Sequence, residues 1–113
     1  MESTRQKKVA RLLQKELAEI LRQKTTELAR GKMLTVTTVR VSPDLSLAKV
    51  YVSIFPSDDS IQTLDHIIDN TPRIRNELGN KVGKQLRIIP EIAFYLDDSL
   101  DYIDNIDSLL DKD

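Results

Sequence analysis

The sequence predicts an α+β fold, a small three-stranded sheet with helices packed on one face, from three observations. Apolar residues recur every three or four positions over the first thirty. Two β-branched, alternating runs then flank Ser42-Pro43-Asp44. Two further helical periods precede a last alternating run. The element order reads αββααβ, followed by an acidic segment.

The first helix spans Thr4 to about Ala29, with Val9, Leu12, Leu13, Leu17, Ile20, Leu21 and Leu28 on one side. At about 100° per residue, Lys7, Lys8, Arg11, Lys15 and Arg22 fall in the opposite arc, about 100° wide, with Glu16 and Glu19 between. Gly31 supplies the stop, and Arg30 and Lys32 sit beside the negative end of the helix dipole. Leu34 to Val41 is the first strand. Its apolar phase slips between Val36 and Val39, which implies a bulge near Thr37-Thr38. Ser42-Pro43-Asp44 turns the chain, and in Leu47 to Phe55 the residues Ala48, Val50, Val52 and Ile54 alternate with Lys49, Tyr51 and Ser53, so one face of this strand is covered.

Ser57-Asp58-Asp59 offers a cap and first-turn acids for a helix that ends near Asn70 and whose inward face is Ile61, Leu64, Ile67 and Ile68. Thr71-Pro72 reads as cap and first position of the next helix, which carries Ile74, Leu78, Val82 and Leu86 inward. Gly79 and Gly83 each cost up to about 1 kcal/mol relative to Ala there, so a bend or early end is expected. Ile88 to Leu96 is the third strand; Pro90 confines its start to an edge, and Asp97-Asp98-Ser99 closes it. Residues 99–113 form an acidic tail with Leu100, Ile103, Ile106 and Leu110 on one side, read as a short helix.

The length of 113 residues, 40% of them apolar, fits one compact domain. There is no cysteine, hence no disulfide framework and no thiolate metal site. No apolar stretch approaches membrane-spanning length, so no membrane role is expected and the cytoplasm is the default location. The net charge of −1 hides a polarity: residues 1–32 carry nine Lys or Arg against four acids, and residues 91–113 carry eight acids against one Lys. That asymmetry suits a basic binding surface with an acidic tail.

Catalysis needs converging groups of tuned protonation, and the chain has one histidine and no nucleophile elbow, phosphate loop or metal-ligand pair, so no enzyme, cofactor or metal is expected. His66 projects away from its helix's apolar side and reads as a solvated residue. Gly79 and Gly83 enclose three residues, whereas the Gly-x-x-Gly clamp of KH domains encloses two, so a structural kink is the simpler reading. The aromatic residues Tyr51, Phe55, Phe94, Tyr95 and Tyr102 do not form a stacking platform of the RRM type, and Phe94 reads as core. What remains is basic: Lys7, Lys8, Arg11, Lys15 and Arg22, then Arg73, Arg75, Lys81, Lys84 and Arg87. Such residues neutralise phosphates and read shape and backbone rather than sequence.

The chain resembles the ribosome-binding factor A family over nearly its whole length. The resemblance rests on Arg5 and Val9 with Leu17-Ala18-Glu19-Ile20-Leu21, on Val36-Thr37 and Val41-Ser42-Pro43-Asp44-Leu45, and on Ala48-Lys49-Val50-Tyr51-Val52. It continues with Ile74-Arg75, Leu78-Gly79, Leu86-Arg87, Pro90-Glu91-Ile92, Phe94 and Asp97-Asp98-Ser99-Leu100. It implies a KH-like domain of type II order over residues 1–98, which binds the free small (30S) ribosomal subunit or its precursor, contacts 16S rRNA and supports late maturation, 5′ processing and cold adaptation without catalysis. It further implies a monomer with no small-molecule substrate. The family's Ala-x-Gly helix junction corresponds here to Asn70-Thr71-Pro72, and the stretch from Gly79 to Leu86 is about two residues longer than usual. An alternative reading of the same charges is a protein-interaction module whose basic first helix engages acidic partners.

Overall fold

The computed structural model describes residues 2–97; the helix expected within residues 99–113 lies outside them. Its elements are α1 (Thr4–Gln23), α2 (Thr25–Ala29), β1 (Met33–Val41), β2 (Leu47–Phe55), α3 (Ser60–Asp69), α4 (Thr71–Val82) and β3 (Glu91–Leu96).

α1 starts at a capping box. The Ser3 hydroxyl accepts from the Gln6 amide at 3.1 Å, and Gln6 Oε1 accepts from the Ser3 amide at 2.7 Å. Gln6 is also buried, and its Nε2 donates to the Val41 carbonyl at 2.8 Å, so the helix start is tied to the end of β1. Gln14 repeats the device farther along the helix, donating to the Val36 carbonyl at 3.1 Å. Around these ties Leu13, Leu17, Ile20 and Leu21 are fully buried.

The single helix expected to run to Ala29 is interrupted at Lys24. The Thr25 hydroxyl donates back to the Leu21 carbonyl at 3.1 Å, a local bond that competes with the helix ladder and bends it. Lys24 Nζ then meets Glu77 of α4 at 2.6 Å, which fixes the bend. Arg30 and Gly31, with φ of 51° and 88°, end α2 in the left-handed region, where glycine is at no disadvantage.

The sheet order is β1-β2-β3, antiparallel between β1 and β2 and parallel between β2 and β3. The register passes from Val36↔Val52 to Thr38↔Tyr51, which makes Thr37 the bulge residue at the place where the apolar phase slips. Val36, Val39, Val41, Ala48, Val50, Val52, Ile54, Ile92 and Phe94 form the sheet's contribution to the core. α1 packs on β1 and α3 on β2 and β3, all from that one side. The fold is therefore α+β with the KH-like order. β3 begins at Glu91, not Ile88: Pro90 has no amide to donate, so the first bond on this side is Glu91 N to the Ser46 carbonyl at 2.9 Å, and Ile88 is left 71% exposed.

α3 corrects the expected inward face. Ile67 is fully buried and Leu64 packs on the core, but Ile61 and Ile68 are exposed. The helix docks along a narrow line centred on Ile67, and the two exposed isoleucines stand about 100° to 120° round from it. One residue, Asn70, closes α3 and opens α4, so Thr71 is the first helical residue and not the cap, and Pro72 sits in the first turn where its missing amide has no ladder partner to lose. Ile74, Leu78 and Val82 are buried as expected, while Leu86 lies beyond the helix end and only packs against the core. At Gly83 a Cβ would stand 2.6 Å from the Gly79 carbonyl oxygen, so the α4 terminus has no room for a side chain.

Replacing Gln6 by Ala should cost about 2 kcal/mol, since it removes half of the capping box and strands the Val41 carbonyl. Urea unfolding with an unchanged slope measures this; a loss under about 0.5 kcal/mol would show that water replaces the tie freely.

Candidate nucleic-acid interface

The outward side of α1 carries Lys7, Lys8, Arg11 and Lys15, all exposed and none in an ion pair among the described residues. Because the opposite side is fixed to β1 by buried leucines and two glutamine bonds, these four cations point in one direction from a rigid support. Arg22 belongs to the same arc but is engaged: its Nη2 lies 2.6 Å from Glu19 Oε1. The hydrogen bond to Arg22 holds the Glu19 carboxyl below the usual carboxylate range, with the nearby positive charge of Lys81 assisting, and raises the Arg22 guanidinium in turn.

The second basic group divides. Arg73 Nη1 meets Glu27 of α2 at 3.3 Å, on the flank of α4 that also carries Glu77 and its bond to Lys24. Arg75 points the other way and donates to the carbonyls of Ile89 at 2.7 Å and Pro90 at 3.1 Å, holding the chain that leads into β3. Arg75 is thus a structural brace, away from the α1 stripe. Lys81, Lys84 and Arg87 are exposed and hold no ion pair among the described residues, and Lys81 faces α1 through its influence on Glu19.

Between these groups lies a cleft of about 530 Å³. α1 contributes Arg5, Lys8, Val9 and Leu12; the β1–β2 turn contributes Asp44, Leu45 and Ser46; the segment after α4 contributes Gln85, Leu86, Arg87 and Ile88, with Pro90 closing the end. Lys8 is shared by the stripe and the cleft rim, so the cationic surface runs from α1 across to Arg87. Arg5 escaped the sequence-level stripe because it stands about 120° round α1 from Arg11, and only the juxtaposition of three segments reveals its place.

The turn beside the cleft is set by Asp44. Its Oδ1 accepts from the Ser46 hydroxyl at 2.7 Å, the Ser42 hydroxyl at 2.7 Å and the Ser46 amide at 3.1 Å, and these bonds hold its carboxyl at about 2. Leu45, with φ of 62°, takes the left-handed position.

The open face of the sheet brings Tyr51 and Tyr95 together as stacked rings 5.4 Å apart, with Arg40 and Lys49 on neighbouring rows. Their pairing depends on the parallel β2–β3 register, which no local pattern encodes. The rings spend their faces on each other, which leaves less ring surface for bases. A second hollow near α2 and α3 encloses Lys32 Nζ without a hydrogen-bond partner, but Glu27 and Asp59 there offset Arg30 and Lys32. His66 lies at its rim and is exposed. No helix among the described residues is long and apolar enough to cross a membrane, and no three His, Cys, Asp or Glu side chains among them are grouped to hold a metal ion.

Residues 5–110 match the family model described as ribosome-binding factor A. The ribosome-binding factor A of Cytophaga hutchinsonii is 47% identical over 112 residues, covering 99% of this chain and 84% of that protein. That of Christiangramia forsetii is 47% identical over 107 residues, covering 94% and 82%. Among solved structures, the crystal structure of ribosome-binding factor A from Thermus thermophilus superposes with a TM-score of 0.67 at 25% identity, over 80% of this chain and 94% of that one. The solution structure of a putative ribosome binding factor A from Thermotoga maritima gives 0.63 at 28% identity, over 84% and 89%.

The Asp44 carboxyl should titrate with a midpoint near 2 when followed by its carbon resonance, and the double variant S42A/S46A should return it toward the ordinary aspartate value of about 3.9. Its folded value lies below the unfolded one, so the turn's contribution to stability is complete above about pH 4 and disappears as pH falls through 2. An unchanged midpoint in the double variant would remove the serine hydroxyls as the cause.

Proposed function

The chain belongs to the ribosome-binding factor A family, and from that premise we propose that it is a non-catalytic assembly factor that binds the free small (30S) ribosomal subunit or its precursor. In this reading it contacts 16S rRNA as a cytoplasmic monomer, supports late maturation and 5′ processing, and contributes to cold adaptation. The observation that carries it is the set of unengaged cations on a rigid helix: Lys7, Lys8, Arg11 and Lys15, extended by Lys81, Lys84 and Arg87. Phosphate oxygens supply the complementary charge, and release of their counterions gives affinity that falls steeply with salt. A rigid display matters because no backbone ordering entropy is then spent on the protein side of the contact, only that of the side chains themselves.

Arg22, Arg73 and Arg75 support the interface in a different way. Each is tied to a neighbour in this chain, so drawing it to a phosphate means releasing that bond first. Lys7, Arg11 and Lys15 are therefore the contacts with most to give. If the alternative held, and the stripe engaged acidic proteins, purified rRNA would fail to compete for binding to subunits.

The folded triple variant K7E/R11E/K15E should lose at least about tenfold in co-sedimentation with small subunits at low salt, and each lost phosphate contact should flatten the logarithmic salt dependence by roughly 0.7 to 0.9. Arg22→Glu should weaken binding far less. A triple variant that sediments with wild-type affinity and salt dependence would refute the α1 surface.

A further inference from the structure

The cleft beside α1 has an apolar floor that phosphates do not satisfy. Val9 is buried, Leu12, Leu45 and Leu86 are half-buried, and Ile88 is 71% exposed at its mouth. Phosphates drawn to the rim cations Arg5, Lys8 and Arg87 would stand over this apolar floor and leave it uncovered, while desolvating charge against it is costly. A ligand that fits both parts has an apolar side for the floor and carboxylates for the rim. The cleft's own acid, Asp44, has its carboxylate committed to three hydrogen bonds within the turn, and the rim retains a net positive charge.

The chain carries such a ligand beyond the described residues. Residues 98–113 hold six aspartates and one lysine. Wound at about 100° per residue, Ile103, Ile106, Leu109 and Leu110 fall within one arc of about 120°, and Asp101, Asp104, Asp107 and Asp111 occupy the opposite side. This is the pattern of an amphipathic helix that lays its apolar side in a groove.

We propose that residues 98–113 dock in the cleft formed by α1, the β1–β2 turn and residues 85–90, and there compete with rRNA for the basic surface. The proposal deepens the reading of this chain as an rRNA binder and rests on it for its consequence, though not for the docking itself. Reach is sufficient. Asp97 lies seven residues along from Pro90 at the cleft, about 23 Å at the rise of a strand. Residues 98–102 span about 16 Å extended and residues 103–113 about 16 Å more as a helix, so in a segment that reverses after Asp97 the residues around Ile106 return to the level of Pro90. Covalent attachment sets an effective concentration in the millimolar range, at which even a contact with a Kd of about 0.1 mM is roughly 90% formed.

Docking would neutralise Lys8 and Arg87 and lay carboxylates beside Arg11, across the path of the cationic surface. Random RNA, held by few phosphate contacts, would be excluded. A subunit that engages the whole stripe would displace the segment.

Amide spectra of the full chain and of full-length I103D/I106D, recorded without RNA, test the docking. The resonances of residues 5–12, 44–46 and 85–89 should move between the two proteins, independently of concentration. Shifts confined to residues 49, 51, 93 and 95 would place the segment on the open sheet face, concentration-dependent shifts would assign the contact to a second copy, and no shifts would mean no docking; each overturns the proposal. D104N/D107N keeps the apolar side and should move the same resonances to a smaller extent, which reads the docking if the first variant is unstable. Twenty-nucleotide oligouridine should bind I103D/I106D at least about threefold more tightly than wild type; equal or weaker binding overturns the competition. Because the spectra contain no RNA, their outcome is separate from that of the α1 triple variant.

Discussion

The attachment of α1 to β1 is the constraint on which the rest depends. Three leucines and one isoleucine of α1 at zero exposure supply the adhesion, but they would permit sliding along the strand. Gln6 and Gln14 remove that freedom by seeking particular carbonyls, those of Val41 and Val36, at two separate levels of one strand. Buried polar bonds of this kind add little net stability and a great deal of registry. With α1 fixed in both rotation and translation, its solvent side becomes a surface of defined geometry, and α4 can be positioned against it through Lys24 and Glu77.

Charge is divided between construction and display. The three cations of the expected site that hold bonds within the chain, Arg22, Arg73 and Arg75, are all arginines, whose planar fork suits paired oxygens and carbonyls. The unengaged set is mostly lysine, compact point charges on flexible stems that adapt to an irregular phosphate array. The cleft stands at the boundary of these two uses, bordered by Arg5, Lys8 and Arg87 but floored by hydrocarbon.

Most of the architecture was legible from periodicity. The alternation of β2, the bulge at Thr37 and the buried stripe of α1 follow from local spacing, because each is decided by which side of one element meets the core. Failures occurred where a neighbour decides. Ile61 and Ile68 have the right spacing to face inward, yet α3 meets its partners along a line too narrow to include them. Leu21 and Leu28 stand seven residues apart, two turns of one helix, so spacing alone carries the helix through Lys24, and the bend there comes from Thr25 and from a glutamate far along the chain in α4. The exposure of the basic residues could be read from the chain, and Glu19 lies one turn from Arg22, but the engagement of Arg73 and Arg75 could not be read, since Glu27 and the carbonyls of Ile89 and Pro90 are brought to them by the fold. The cleft and the Tyr51–Tyr95 stack were invisible for the same reason.

The parallel pairing of β3 with β2 carries a kinetic consequence. β3 cannot join the sheet until both α3 and α4 have crossed back over it, and the Thr37 hydroxyl meets the Asp97 carboxylate only across 60 positions of chain. Contacts so distant in sequence close late and slowly. During its own synthesis, then, the nascent polypeptide passes through a stage in which α1 and the β1–β2 hairpin have been made and carry their cations while Arg87 has no place to go. The chain must be made through β3 before the molecule presents its finished cationic surface, so the order in which that surface is completed is written into its topology.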